Sequence, residues 1–170
     1  MKNWTRKLEV CANIAIILVA LLIGIVLVKK YLLTDHTESG PAIAAGTKVS
    51  LPGVDWSKNG RTLLLVLQKG CHFCAESAPF YQRLVRETSG RGQVHLVAVL
   101  PQEVSEGKQY LDEMNVPIEE VKQATPSSLG VRGTPTLILV NNSGVVVDVW
   151  QGKLPADDES KVLNRMQDNS

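Results

Sequence analysis

Three short apolar runs limit what this chain can fold into. Residues 62–67 read TLLLVL, 94–100 read VHLVAVL and 136–140 read TLILV. Runs this short, without polar alternation, suit strands buried on both faces of a sheet. The stretches between them carry a helical period. Phe80, Leu84 and Val85 give 71–88 an apolar side with Tyr81 at its edge, and 103–114 turns Val104, Leu111 and Met114 inward. Residues 157–166 do the same with Val162 and Leu163. Pro79 predicts a kink in the first of these helices, because proline removes a helix hydrogen bond. Asn141-Asn142-Ser143-Gly144 predicts a hairpin returning along 145–150. Residues 47–51 and 118–124 read as two further short strands. The order of these elements predicts an α/β fold, a mixed sheet with helices on its faces.

The chemistry sits directly after the first apolar run, at Cys71-His72-Phe73-Cys74. Two cysteines three apart in the first turn of a helix share one side, within reach of a disulfide. The helix start favours an anion at Cys71, which makes it the nucleophile. Cys74, one turn further in, is the resolving thiol that attacks a mixed disulfide on Cys71. His72 has two readings: a tuning group that stabilises the thiolate, or an exposed residue at a helix start. A Cys-x-x-Cys can also be half of a zinc site, but that needs a second pair of ligands and the only other cysteine is Cys11, far upstream. The expectation is therefore a redox-active disulfide, with no metal and no other cofactor.

Residues 10–28 contain no charge. As a helix they would be roughly 28 Å long, enough to span a bilayer. Lys2, Arg6 and Lys7 precede the run, Lys29 and Lys30 follow it, and the slight excess on the first side favours that end in the cytoplasm. A cleaved signal peptide is the alternative. The run is longer than the usual apolar region of such a peptide and ends without a small-x-small site. The expected organisation is 1–9 in the cytoplasm, 10–28 as a signal anchor, 29–46 as a linker and 47–170 as the folded domain outside. Cys11 reads as a small apolar residue in the membrane and His36 as a solvated linker residue. The formal net charge of +1 gives no reason to expect nucleic acid as a partner.

From about Gly46 onward the chain resembles thioredoxin-fold proteins, and more closely the membrane-tethered TlpA-like redoxins. The resemblance rests on four landmarks: the cysteine pair after a buried strand, Pro79 five residues beyond Cys74, the segment Gly130-Val131-Arg132-Gly133-Thr134-Pro135-Thr136, and the hairpin with Gly152 after it. It implies a thioredoxin-like three-layer fold and a cis Thr134–Pro135 bond lying against the cysteines. Thr134, Pro135 and Phe73 would then bind an extended substrate segment. Two positions depart from thioredoxin itself: Gly70 stands where it has Trp, and Leu65 where it has a buried Asp that helps deprotonate the second cysteine. Glu76 and Lys69 are the nearby candidates for that proton.

The resemblance implies a thiol–disulfide oxidoreductase on the periplasmic side of a bacterial inner membrane. It would reduce protein disulfides, for example in cytochrome c or metalloprotein maturation. Its partners would be protein thiols and disulfides and a membrane electron donor or acceptor. A disulfide-forming oxidant is the alternative that His72 favours. A thiol peroxidase would need Thr or Ser where Gln68 stands. A copper-binding assembly factor would need His95 or His36 as a distant ligand.

Overall fold

The computed structural model describes residues 43–58, 60–88 and 94–167, together with Ile16, Ile17, Val19 and Leu21. Those four are helical and exposed. The anchor expected over 10–28 and most of the linker otherwise lie outside the described residues, as do Cys11 and His36. Among the described residues no helix is long and apolar enough to cross a membrane. The chain divides into two compact units, Met1–Ser39 and Gly40–Ser170. The second unit contains the whole of the sheet and the cysteine pair.

Five strands form one sheet: β1 (Arg61–Val66), β2 (Val94–Leu100), β3 (Glu120–Gln123), β4 (Thr136–Asn141) and β5 (Val146–Gln151), in the order β3-β2-β1-β4-β5. β1, β2 and β3 run parallel, while β4 pairs antiparallel with β1 and with β5. The central strands coincide closely with the three apolar runs. Leu63, Leu64, Leu65 and Val66 are all fully buried, so both faces of β1 are covered.

The two faces are covered differently. Leu63, Leu65, Leu67, Ala98, Leu100, Leu137 and Leu139 point into one cluster. It also takes Phe80, Tyr81 and Leu84 from α2 (Ala78–Thr88), Tyr110 and Leu111 from α3 (Val104–Glu113), and Val162, Leu163 and Met166 from α4 (Ala156–Gln167). Leu64, Val66, Val97, Val99, Ile138 and Val140 point the other way, into a cluster closed by Val49, Leu51, Leu129 and Val131. Helices were expected on both faces. Among the described residues the second face is covered instead by the irregular segment 43–58 and by the crossing from β3 to β4, which holds one 3-10 turn (Pro126–Leu129).

Several local expectations are corrected. Residues 47–51 form no strand, only one bridge from Lys48 to Val145. Their alternation is real, with Val49 and Leu51 buried between exposed neighbours, but it reflects packing on the sheet's second face. The strand over 118–124 shrinks to Glu120–Gln123. Val104 is 40% exposed; Leu111 is buried as expected, together with Gly107 and Tyr110. Tyr81 is not an edge residue but fully buried.

Candidate active site

The expected helix over 71–88 is two helices, α1 (His72–Glu76) and α2, separated at Ser77. Pro79 has no N–H to return to the carbonyl of residue 75, so the hydrogen-bond ladder stops short of it. Ser77 bridges the break. Its backbone N–H and its hydroxyl both donate to the Phe73 carbonyl, at 3.1 and 2.8 Å, and its own carbonyl accepts from the N–H groups of Phe80 and Tyr81.

β1 ends at Val66, and Gly70, at φ 82°, turns the chain into α1. A Cβ added at Gly70 would touch nothing within 4 Å, so the front of the site lies open where thioredoxin carries a tryptophan. Cys71 is the N-cap of α1, and its Sγ accepts a hydrogen bond from the Cys74 N–H at 3.2 Å. An N–H aimed at that sulfur favours its charged form once the bond is reduced. Cys71 and Cys74 form a disulfide, with Cα atoms 5.3 Å apart. Cys71 is half-buried, whereas Cys74 is fully buried in the cluster with Leu65, Leu67 and Tyr81.

Across from the sulfurs runs the segment before β4. The Thr134–Pro135 bond is cis, and the Thr134 carbonyl oxygen lies 3.4 Å from Cys71 Sγ. Pro135 is buried, so its contribution to a partner is backbone shape rather than exposed surface. Thr136 donates its hydroxyl to the Gly133 carbonyl at 2.7 Å and closes this turn. The Pro135 carbonyl accepts from the Gly152 N–H at 2.7 Å, which ties the segment to the end of β5. Phe73 is 54% exposed beside Cys71.

His72 is well exposed, and its Nε2 lies 3.1 Å from Glu76 Oε1, one turn along α1. The other Glu76 oxygen accepts from Lys153 Nζ at 2.9 Å. That hydrogen bond outweighs the opposing cost of burial and, with the charges of Lys153 and His72 beside it, holds the Glu76 carboxyl below the usual carboxylate range. Such a carboxylate is a poor acceptor for a thiol proton. Lys69 is bound to Glu106 at 2.9 Å, and this contact pushes its ammonium up from its ordinary value. Neither candidate for the Cys74 proton is therefore prepared to take it.

His95 is far from this site. It pairs in register with Thr62 near the start of β1, while the cysteines follow the end of that strand. Its Nε2 lies 2.6 Å from Glu120. The copper reading thus loses His95 as a ligand beside the cysteines, and among the described residues no group of three or more His, Cys, Asp or Glu side chains is placed to hold a metal ion.

Sequence reasoning missed Lys153 altogether and saw Gly152 only as a landmark. Both reach the site across long sequence separations, for which a single chain offers no periodic signal.

A disulfide with one sulfur near the surface and one in the core, opening a helix at the carboxyl end of a buried strand, defines a thiol–disulfide oxidoreductase. Residues 56–167 match the thioredoxin-like domain family, and the chain belongs to that family. Solved structures agree. A protein from Chlorobium tepidum assigned as the thiol:disulfide interchange protein DsbE is 25% identical, covering 74% of this chain and 96% of its own, with a TM-score of 0.57. The thioredoxin domain of a thiol-disulfide oxidoreductase from Bacteroides vulgatus is 18% identical, covering 75% and 100%, at 0.57. A thiol-disulfide isomerase from Corynebacterium glutamicum is 18% identical, covering 76% and 97%, at 0.53. The last two likenesses establish the fold alone. No curated protein matches the chain.

Proposed function

We propose that the chain is a membrane-anchored, TlpA-like reductase of protein disulfides, working on the extracytoplasmic side with Cys71 as nucleophile and Cys74 as resolving thiol. The observation that carries the roles is the contrast between the sulfurs: Cys71 caps a helix within 3.4 Å of the Thr134 carbonyl, and Cys74 is fully buried directly behind it. The reduced Cys71 thiolate attacks one sulfur of a partner's disulfide. That bond breaks, a Cys71–partner disulfide forms, and the partner's other sulfur leaves as a thiolate and takes a proton. Cys74 then attacks Cys71 Sγ as a thiolate, which releases the partner's second sulfur. The partner has gained two electrons and the Cys71–Cys74 pair has lost them.

Phe73 and the backbone of Thr134 and Pro135 would receive the partner's extended segment beside Cys71. The reducing direction follows from the likeness to TlpA-type redoxins, and His72 opposes it only weakly. Its ring is engaged by Glu76, which offsets the support a free imidazolium would give the thiolate. The location is supported by the uncharged run 10–28. Oxidised thiols of cytochrome c or of metalloproteins are the substrates this reading favours, and a membrane electron donor would return the pair to the dithiol.

The test is Cys74→Ser in the full chain, expressed in membranes. The variant should accumulate mixed disulfides on Cys71, resolved as reducible adducts on non-reducing gels and pelleting with the membrane. Absence of adducts sinks the roles, and adducts found only in the soluble fraction sink the anchor. A reduction potential near −270 mV supports a reductase, and one near −120 mV an oxidant.

A further inference from the structure

The contacts around the disulfide form a closed circuit. Cys71 Sγ lies against the Thr134 carbonyl, and the next carbonyl, that of Pro135, accepts from the Gly152 N–H. The following residue, Lys153, reaches Glu76 Oε2 at 2.9 Å, and Glu76 sits on the same short helix that Cys71 caps. The remaining oxygen of Glu76 holds His72 at 3.1 Å. One carboxylate thus faces one cation and one imidazole ring, and it stands on the helix that the reactive cysteine caps.

We propose that Glu76 and Lys153 are positioning residues that set the reduction potential of the Cys71–Cys74 pair as an opposed charge couple. The couple presupposes the redox role of that pair. Reduction creates negative charge at Cys71, and whatever stabilises that charge favours the dithiol and makes the pair more oxidising. Glu76 opposes that charge and also neutralises Lys153, whereas Lys153 supports it. Glu76 thereby offsets the rise in potential that Lys153 alone would bring.

A mere brace between α1 and the segment after β5 would behave differently. Breaking the bridge from either side would loosen the same contact and shift the potential in the same direction. A charge couple responds with opposite signs. Glu76→Gln leaves Lys153 uncompensated and should shift the dithiol–disulfide equilibrium with a glutathione buffer about threefold toward the dithiol. Lys153→Gln leaves Glu76 facing only His72 and should shift it about threefold the other way. Both estimates reflect the modest strength of exposed pairs. Threefold corresponds to about 14 mV at 29.6 mV per tenfold. The double variant should return close to wild type, and ~1 M salt, with a Debye length of about 3 Å, should shrink both single shifts.

The experiment measures that equilibrium in glutathione buffers for wild type, both single variants and the double. Opposite shifts that salt suppresses establish the couple. Shifts of equal sign, or none, overturn it while leaving the oxidoreductase intact. A wild-type pair that does not equilibrate with glutathione at all overturns both the redox role and the couple.

Discussion

Among the described residues two histidine–glutamate pairs stand at opposite ends of the sheet. His72–Glu76 lies at the carboxyl end of β1, on the rim of the disulfide, 3.1 Å apart, with His72 78% exposed. His95–Glu120 lies towards the other end, 2.6 Å apart, with both side chains about one-third exposed. The residue types are the same but the settings differ. The first pair lies within one five-residue helix and joins no two strands, so its effect on folding is slight. The second links β2 to the short edge strand β3, and Glu120 also takes Lys122 at 3.1 Å, whose Nζ in turn donates to the Gly53 carbonyl at 2.7 Å. It fastens the sheet edge to the segment covering the second face. The same chemical pair tunes charge at one end and stitches strands at the other.

The strongest way to break this division is at the active end. Cys71→Ser should reduce disulfide exchange to background, read as insulin disulfide reduction. Compared under reducing conditions, its unfolding free energy should stay within about 1 kcal/mol of wild type, because serine is close to cysteine in size and also a good N-cap at this half-buried helix start. A larger loss of stability would mean that this end also carries the fold.

At the other end the expectation inverts. His95→Ala removes a half-buried hydrogen bond to a carboxylate and should cost about 1–2 kcal/mol in urea unfolding, with exchange activity unchanged within about twofold. Activity falling in step with stability would erase the distinction.

Acid sharpens the same point. Burial pushes the Glu120 carboxyl up, but hydrogen bonds from His95 and Lys122 outweigh it, and the net value lies below the ordinary 4.5. A carboxyl depressed in the folded state contributes stability above its unfolded value and loses it as pH falls through the folded one. Wild type should therefore lose stability as pH drops below about 4.5, and Glu120→Gln should flatten that loss. An unchanged acid profile in the variant counts against the stitch. The smallest effect is expected at the exposed Lys69–Glu106 pair, where Lys69→Ala should leave the urea unfolding midpoint where wild type has it.

The central strands were legible because β1, β4 and the second half of β2 are covered on both faces and so carry largely apolar runs. Cys71, Cys74 and the cis bond at Thr134–Pro135 were also legible, the first two from spacing and the last from family likeness. Residues 47–51 misled because alternation records which side chains are covered, not which backbone is paired. Val104 misled because an apolar residue at the first position of a helix need not face the sheet, whereas Gly107, which no apolar pattern flags, packs close to Val121 and Leu100. The break at Ser77 could be placed only as a kink, since Pro79 marks the missing hydrogen bond but not the residue that repairs it. The charges around the disulfide were illegible in part because Lys153 meets Glu76 only once the sheet has formed.

The irregular cover on the second face bears on how the protein can be cut. The family match begins at Trp56, yet Val49 and Leu51 lie before it and shield Leu64, Val66, Ile138 and Val140. A fragment trimmed to the recognised boundary would keep every reactive atom and expose a greasy flank of sheet to water. Its failure would come as clumping in the tube rather than as a loss of chemistry.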